Sequence, residues 1–250
     1  MTRFHVIAIV TALASATAIA LGSFLALGVI VAVFAIVMGL GVALPQWRMF
    51  GPFICEGDAS QRRVALTFDD GPDPRSTPAL LELLRAENVP ATFFCIGRNI
   101  AAHPQLTARI PSEGHLLGNH TYTHSNATNF FGLARLADEM TRTQSATRDA
   151  TGVAPVYFRP PMGLSNPRVF KAASTLGLKV VGWTARGLDT QIRDPERVVR
   201  RILRDARPGA IILLHDGNIP PERLLPTVKL LLAKLREQGY QFARLDHLLK

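Results

Sequence analysis

The chain has 250 residues, 48% hydrophobic and 19% charged, with 28 Lys and Arg against 19 Asp and Glu for a formal net charge of +9. That apolar content excludes a disordered chain, and two cysteines without a CxxC pair, Cys55 and Cys95, exclude a disulfide framework and a cysteine-held structural zinc. The basic balance leaves nucleic acid and an anionic membrane both open as partners.

The apolar residues are concentrated at the N-terminus: from Val6 to Leu44 there is no Asp, Glu, Lys or Arg. As one helix this run would be roughly 58 Å long against a hydrocarbon core of about 30 Å. Two transmembrane spans, about 6–20 and 24–44, turning at Leu21-Gly22-Ser23, fit better. A signal peptide cleaved at Ala14-Ser15-Ala16 or Ala18-Ile19-Ala20 is the alternative, and it still leaves an apolar run long enough to anchor the chain. Residues 1–44 are therefore expected to be an anchor in a bacterial-type inner or plasma membrane. Arg3 before the run and Arg48, Arg62 and Arg63 after it favour a two-span hairpin with both ends in the cytoplasm, whereas a single tilted span would place the rest outside. The side stays open.

Residues 45–62 read as a linker and 63–250 as one domain with a sizeable core. Val64 to Phe68 is a short buried strand ending in Asp69-Asp70-Gly71-Pro72. Ser76 or Thr77 can cap a helix with Pro78 in its first turn that buries Leu80, Leu81 and Leu84. Strands follow at 91–96, 115–117, 156–158, 179–183 and 210–214. Helices alternate with them at 104–112, 131–148, 166–176, 194–206 and 221–237, before Phe242 and Leu245.

Strands alternating with helices imply a parallel sheet, and about seven such units predict an α/β fold of distorted (β/α)7-barrel type behind the N-terminal segment. The polar clusters then fall at one place: Asp69-Asp70, His120 with His124, Arg159, Asp189 and His215-Asp216 all lie at or just beyond the carboxyl end of a predicted strand. In barrels that face carries the active site.

His120 and His124, at i and i+4, are expected on one helical turn, a spacing that suits a divalent metal. One carboxylate of Asp69-Asp70 can be a third ligand and the other a base, which gives a catalytic site with an open position. His215, after the apolar run Ile211 to Leu214, is a candidate general acid.

LTFDDGPDP, GNHTYTHSN, FRPPMG, WTARGLDT and ILLHDG, in this order and spacing, resemble the five motifs of the polysaccharide deacetylases, the NodB-homology carbohydrate esterases of family 4 type. The resemblance runs from about Arg63 to the C-terminus and implies a distorted barrel that removes an N-acyl, sometimes O-acyl, group from an amino sugar. It implies that Asp70, His120 and His124 hold a divalent metal, most often zinc with cobalt or nickel as substitutes, and that Asp69 is the base. It further implies that His215 protonates the departing amine, that Asp189 orients His215, and that Arg159 keeps Asp69 ionised. The Met162 backbone N–H would stabilise the oxyanion and Leu213 would line the acyl pocket. The partner expected is an N-acylated glycan or glycolipid in the envelope. A catalytically inactive metal-binding scaffold on the same barrel and an O-ester hydrolase are the competing functions, the first disfavoured because both Asp69 and His215 remain.

Three positions depart from that family's pattern. Met162 stands where Tyr or Phe is usual, Arg186 where Asp is common, and Thr190 where Trp usually follows Asp189. The last two bear on the substrate more than on the reaction. His115 reads as a buried structural histidine, His103 and His247 as surface residues, and Cys95 as a small core hydrophobe. Arg193, Arg197, Arg200, Arg201, Arg204 and Arg207 crowd one helix, either as a solvated face or as a surface for anionic lipid. Nothing supports nucleic-acid binding, a nucleotide cofactor or a Ser-His-Asp hydrolase: there is no aromatic-interleaved basic motif, P-loop, GxGxxG or GxSxG.

Overall fold

A computed structural model describes residues 1–250. Two helices open the chain, α1 (Arg3–Ala20) and α2 (Phe24–Ala43), joined at Leu21-Gly22-Ser23 and packed on each other as a hairpin. At about 27 and 30 Å by helical rise, both are long and apolar enough to cross a membrane, and only Ala18 and Gly41 are buried within them.

The remaining elements are β1 (Arg63–Asp69), α3 (Thr77–Ala86), β2 (Ala91–Cys95), α4 (Gly97–Ala102), α5 (Pro104–Ser112), β3 (Leu116–Asn119), α6 (Leu133–Thr151), β4 (Tyr157–Phe158), α7 (Pro167–Thr175), β5 (Lys179–Val180), β6 (Ala185–Arg186), α8 (Pro195–Asp205), β7 (Ile211–His215), α9 (Pro221–Glu237), β8 (Gln241–Phe242) and α10 (Leu245–Leu248). The sheet is parallel throughout and runs in the order β5-β4-β3-β2-β1-β7-β6, with β8 on the start of β1. It is the expected α/β architecture, a sheet curled toward a barrel.

The period of two along each strand positions the site. On β1, Val64, Leu66 and Phe68 join the large core beneath α3, α8 and α9, together with Phe93, Ile212 and Leu214. The alternate residues Ala65, Thr67 and Asp69 therefore face the barrel interior, as do Ile211, Leu213 and His215 on β7. Ala65, Ile211, Phe94, Leu245 and Leu248 fill the lower interior. Thr67, Asp69, Leu213 and His215 lie toward the carboxyl ends.

Three expectations about the fold need correction, and one helix is additional to them. The single strand foreseen at 179–183 is two, β5 and β6, because after Val180 the chain pairs Val181 with Ile54 and then crosses so that Thr184 donates to Ile211. Residues 45–62 are accordingly not loose: Met49, Phe50, Phe53 and Cys55 are buried, and Phe53 and Cys55 pack with Phe158 and Val169. Helix α4 was not foreseen. Ser76 and Thr77 do not cap α3 with their hydroxyls but donate to Asp216, Ser76 to its carbonyl oxygen and Thr77 to its carboxylate at 2.5 Å.

The hairpin is fastened to the barrel at its base. Ser165 N–H donates to the Val42 carbonyl at 3.3 Å, and Gln46 Nε2 donates to the Trp183 carbonyl at 2.9 Å. On α8, Val198, Val199 and Ile202 form the buried face. Among the six nearby arginines, Arg200 pairs with Glu196, Arg204 with Asp205, and Arg207 with Glu56.

Candidate active site

At the carboxyl ends of the strands lies a cavity of about 210 Å³ lined by Asp69, Asp70, His120, His124, Met162, Asp189, Leu213 and His215 among others. Of the site residues foreseen, only Arg159 is not in its wall. It lies directly beneath.

Asp70, His120 and His124 offer ligand atoms that all lie within 4.8 Å of one another, a group that could hold a metal ion. The imidazoles do not share a helical turn as expected. Residues 120–124 form an irregular loop in which Thr121 (φ 63°) and His124 (φ 49°) are left-handed, and this fold-back brings the ring centroids to 4.8 Å. The structure also supports the donor set chemically. Asp70 Oδ1 is buried with no hydrogen-bond partner, 3.4 Å from His120 Nε2 and 3.2 Å from His124 Nε2. Three donors turned toward one point, one of them an unsatisfied buried oxygen, suit a cation.

Burial disfavours the Asp70 carboxylate, yet contact with His120 and the charges of His120, His124 and His215 outweigh it and hold the acid down at about 2. Burial, with the charge of His120, pushes His124 down to about 4, toward the neutral ring a metal ligand needs. Burial also opposes charge on His120, but Asp69 and Asp70 raise it. His120 Nδ1 is 2.7 Å from the Arg159 carbonyl, so Nδ1–H donates there and Nε2 is left for the cavity.

Arg159 is 0% exposed. Its Nη1 donates to Asp69 Oδ1 at 2.7 Å and to Thr67 Oγ1 at 2.8 Å, its Nη2 donates to the Gly182 carbonyl at 2.8 Å, and the guanidinium lies 4.1 Å from the Phe94 ring centroid. So many contacts fix a buried charge that would otherwise be costly.

Across the cavity, Asp189 Oδ1 is 3.0 Å from His215 Nδ1 and Oδ2 accepts the His215 N–H at 2.8 Å. Burial works against a charged His215, but the hydrogen bond and charge of Asp189, with Asp69 and Asp70, raise it to about 9. Nε2 is thereby left as a proton donor toward the cavity. Met162, 47% exposed, holds a left-handed backbone (φ 56°, ψ 7°) at the rim, a strained conformation for a residue with a side chain. Leu213 closes the inner wall.

Sequence reasoning missed Glu139. This α6 residue is 3% exposed, and its carboxylate accepts from Tyr122 N–H at 2.9 Å, Thr123 N–H at 2.8 Å and Thr123 Oγ1 at 2.8 Å, tying down the loop between the two histidines. The signal was its spacing: Leu136, Glu139, Met140 and Thr143 share the buried stripe of α6. His115 is buried as expected and accepts the Ala91 N–H at 3.1 Å, and Cys95 is fully buried.

Residues 56–181 match the family described as polysaccharide deacetylase. The chain is 36% identical over 189 residues to the peptidoglycan-N-acetylglucosamine deacetylase PgdA of Listeria monocytogenes, an alignment covering 76% of this chain and 39% of that protein, so the chain spans about two fifths of that relative. It is 41% identical over 168 residues to a chitooligosaccharide deacetylase of Bradyrhizobium, covering 66% of this chain and 76% of the relative. Among solved structures, a CE4 family pseudoenzyme from Bacillus anthracis superposes with a TM-score of 0.73 at 28% identity, covering 80% of this chain and 69% of that one.

Proposed function

The chain belongs to the polysaccharide deacetylase family, and on that premise we propose that it hydrolyses an N-acyl, acetyl-type group from an amino sugar of an envelope glycan, polymeric or lipid-linked. Asp70, His120 and His124 are assigned to a divalent cation, zinc by the character of two imidazoles and a carboxylate, with cobalt or nickel as alternatives. The observation that carries the reading is the pair of opposed groups flanking those ligands, Asp69 held by a buried arginine and His215 held protonated by Asp189.

When bound, such an ion would polarise the acyl carbonyl and make water more acidic. Asp69, aimed by the Arg159 guanidinium, accepts the proton of the attacking water as its oxygen bonds to the acyl carbon. The carbonyl electron pair moves to oxygen, where the Met162 N–H donates to it. His215 then delivers its Nε2 proton to the sugar nitrogen, the C–N bond breaks, and a carboxylic acid and a free amine leave. Leu213 restricts the acyl group to a small one.

The pseudoenzyme neighbour makes an inactive scaffold a fair competitor, but Asp69, His215 and their two positioning partners are all in place here. The hairpin of α1 and α2 is proposed as the membrane anchor and residues 63–250 as the catalytic unit. The test is metal analysis of the full chain in detergent, with acetate and formate release measured on polymeric and lipid-linked amino sugars. Release with metal bound supports the reading. Metal without release from any substrate would overturn it in favour of the scaffold, and release only from O-acylated sugars in favour of an ester hydrolase. A reporter fused at Lys250 reads the side of the membrane.

A further inference from the structure

Every acid in the cavity wall faces a basic group. Asp69 is taken by Arg159, Asp189 by the ring and backbone of His215, and Asp70 faces His120 and His124. One cation there has none. Arg186 lines the same cavity, is exposed, and makes no hydrogen bond and no ion pair through its side chain.

Strand geometry puts it there. Arg186 is paired with Leu213 on β7, two residues before His215. Ala185, its neighbour on β6, is buried in the core beneath α8, so alternation turns Arg186 to the cavity side. Its guanidinium lies 5.5 Å from the centroid of the Trp183 ring, which also lines the cavity and gives the long side chain a surface to rest on. Thr190 and Gln191 complete this wall with further polar side chains that make no hydrogen bond of their own.

A guanidinium is a planar fork of donors suited to two oxygens of one oxyanion. We propose that Arg186 receives an anionic substituent, a phosphate or a carboxylate, carried by the glycan next to the sugar that is deacylated. This rests on the deacylase reading and adds a charge class to its substrate. The wall bearing Arg186 is also the one to which the hairpin is fastened, through Gln46 and the Trp183 carbonyl. A glycosyl phosphate in a lipid-linked sugar and the carboxylate of an acidic amino sugar are the two sources of the same chemistry.

The test uses the zinc-loaded full chain in detergent micelles. Binding of N-acetylglucosamine 1-phosphate, N-acetylmuramic acid and uncharged N-acetylglucosamine is measured by calorimetry at low and high salt. The wild type is expected to bind at least one anionic sugar about tenfold more tightly than the neutral one, as a charge-assisted bidentate contact would give, with the advantage shrinking in high salt. Whichever anion is preferred identifies the source. Arg186→Asp should abolish or reverse the preference while zinc content stays unchanged, and Arg186→Lys should keep part of it. Equal binding of all three sugars by the wild type, or an undiminished preference in Arg186→Asp, overturns the proposal. Acetate release from a neutral chitooligosaccharide, measured in parallel, separates the two failures. Release without anion preference defeats only the role of Arg186, and anion preference without release from any substrate defeats only the deacylase reading.

Discussion

The carbonyl oxygen of Arg159 accepts the Nδ1 proton of His120 at 2.7 Å, while the guanidinium of the same residue holds Asp69 at the same distance. One residue thus sets the tautomer of a candidate metal ligand with its backbone and the aim of the candidate base with its side chain. The two contributions separate on mutation. Arg159→Lys keeps the carbonyl but cannot reach Asp69, Thr67 and the Gly182 carbonyl together. We expect activity to fall by about a hundredfold or more, the size of a general-base contribution, while zinc content measured by atomic absorption stays near that of the wild type.

Asp69→Asn and His215→Ala remove the proton acceptor and the proton donor without touching the ligand group. Each should lose at least about a hundredfold in turnover, with metal retained. A variant of either residue with near wild-type turnover would remove that residue from the mechanism.

Asp189→Asn tests the origin of the His215 charge. His215 is raised from an ordinary 6.5 to about 9, and the Asp189 contact is the largest of the raising causes. In the proposed mechanism the acid form is the active one, so replacing Asp189 should shift the alkaline limb of the pH–rate profile toward lower pH. The folded-state value lies above the unfolded one. The pair's stabilisation is therefore complete below about pH 6.5 and disappears as pH rises through about 9. Melting temperatures of wild type and Asp189→Asn should accordingly differ most at the acid end of that window and converge above it.

Glu139→Ala leaves two backbone N–H groups and the Thr123 hydroxyl without their acceptor. Loss of such outer support typically weakens metal binding by about 10- to 100-fold. Competition with a chelator should reveal a loss of that size, together with a lower melting temperature, and Glu139→Gln should recover part of both because it keeps one acceptor oxygen.

The alternation of strands and helices, and the gathering of acids and histidines at strand ends, were legible in the sequence because both follow from local periodicity. What escaped it depends on contacts between distant segments. The spacing of Glu139 puts it on the buried stripe of α6, but its acceptor role exists only once the 120–124 loop is placed over it. The break after Val180 exists because Ile54, from a stretch that reads as a spacer, takes the pairing position beside Val181. The fold-back at Thr121 and His124 depends on left-handed backbone at two positions, one of them a β-branched threonine that the local sequence would not place there. Helix α4 has six residues and begins with glycine, too short to carry a period. The hydroxyls of Ser76 and Thr77 fit a capping pattern, but buried Asp216 claims them instead.

The bonds from Val42 to Ser165 and from Gln46 to Trp183 make the hairpin a mount instead of a leash. Sixteen unstructured residues at 45–60 would let a domain wander roughly 20 Å from its tether. The buried side chains of Met49, Phe50, Phe53 and Cys55 hold this segment against the domain, so packing and not chain length sets the distance from the cavity to α1 and α2. Under the anchor and deacylase readings proposed above, that distance sets which glycans come within reach, and lengthening the segment ahead of Phe53 would alter which substrates are met without altering a single group that acts on them.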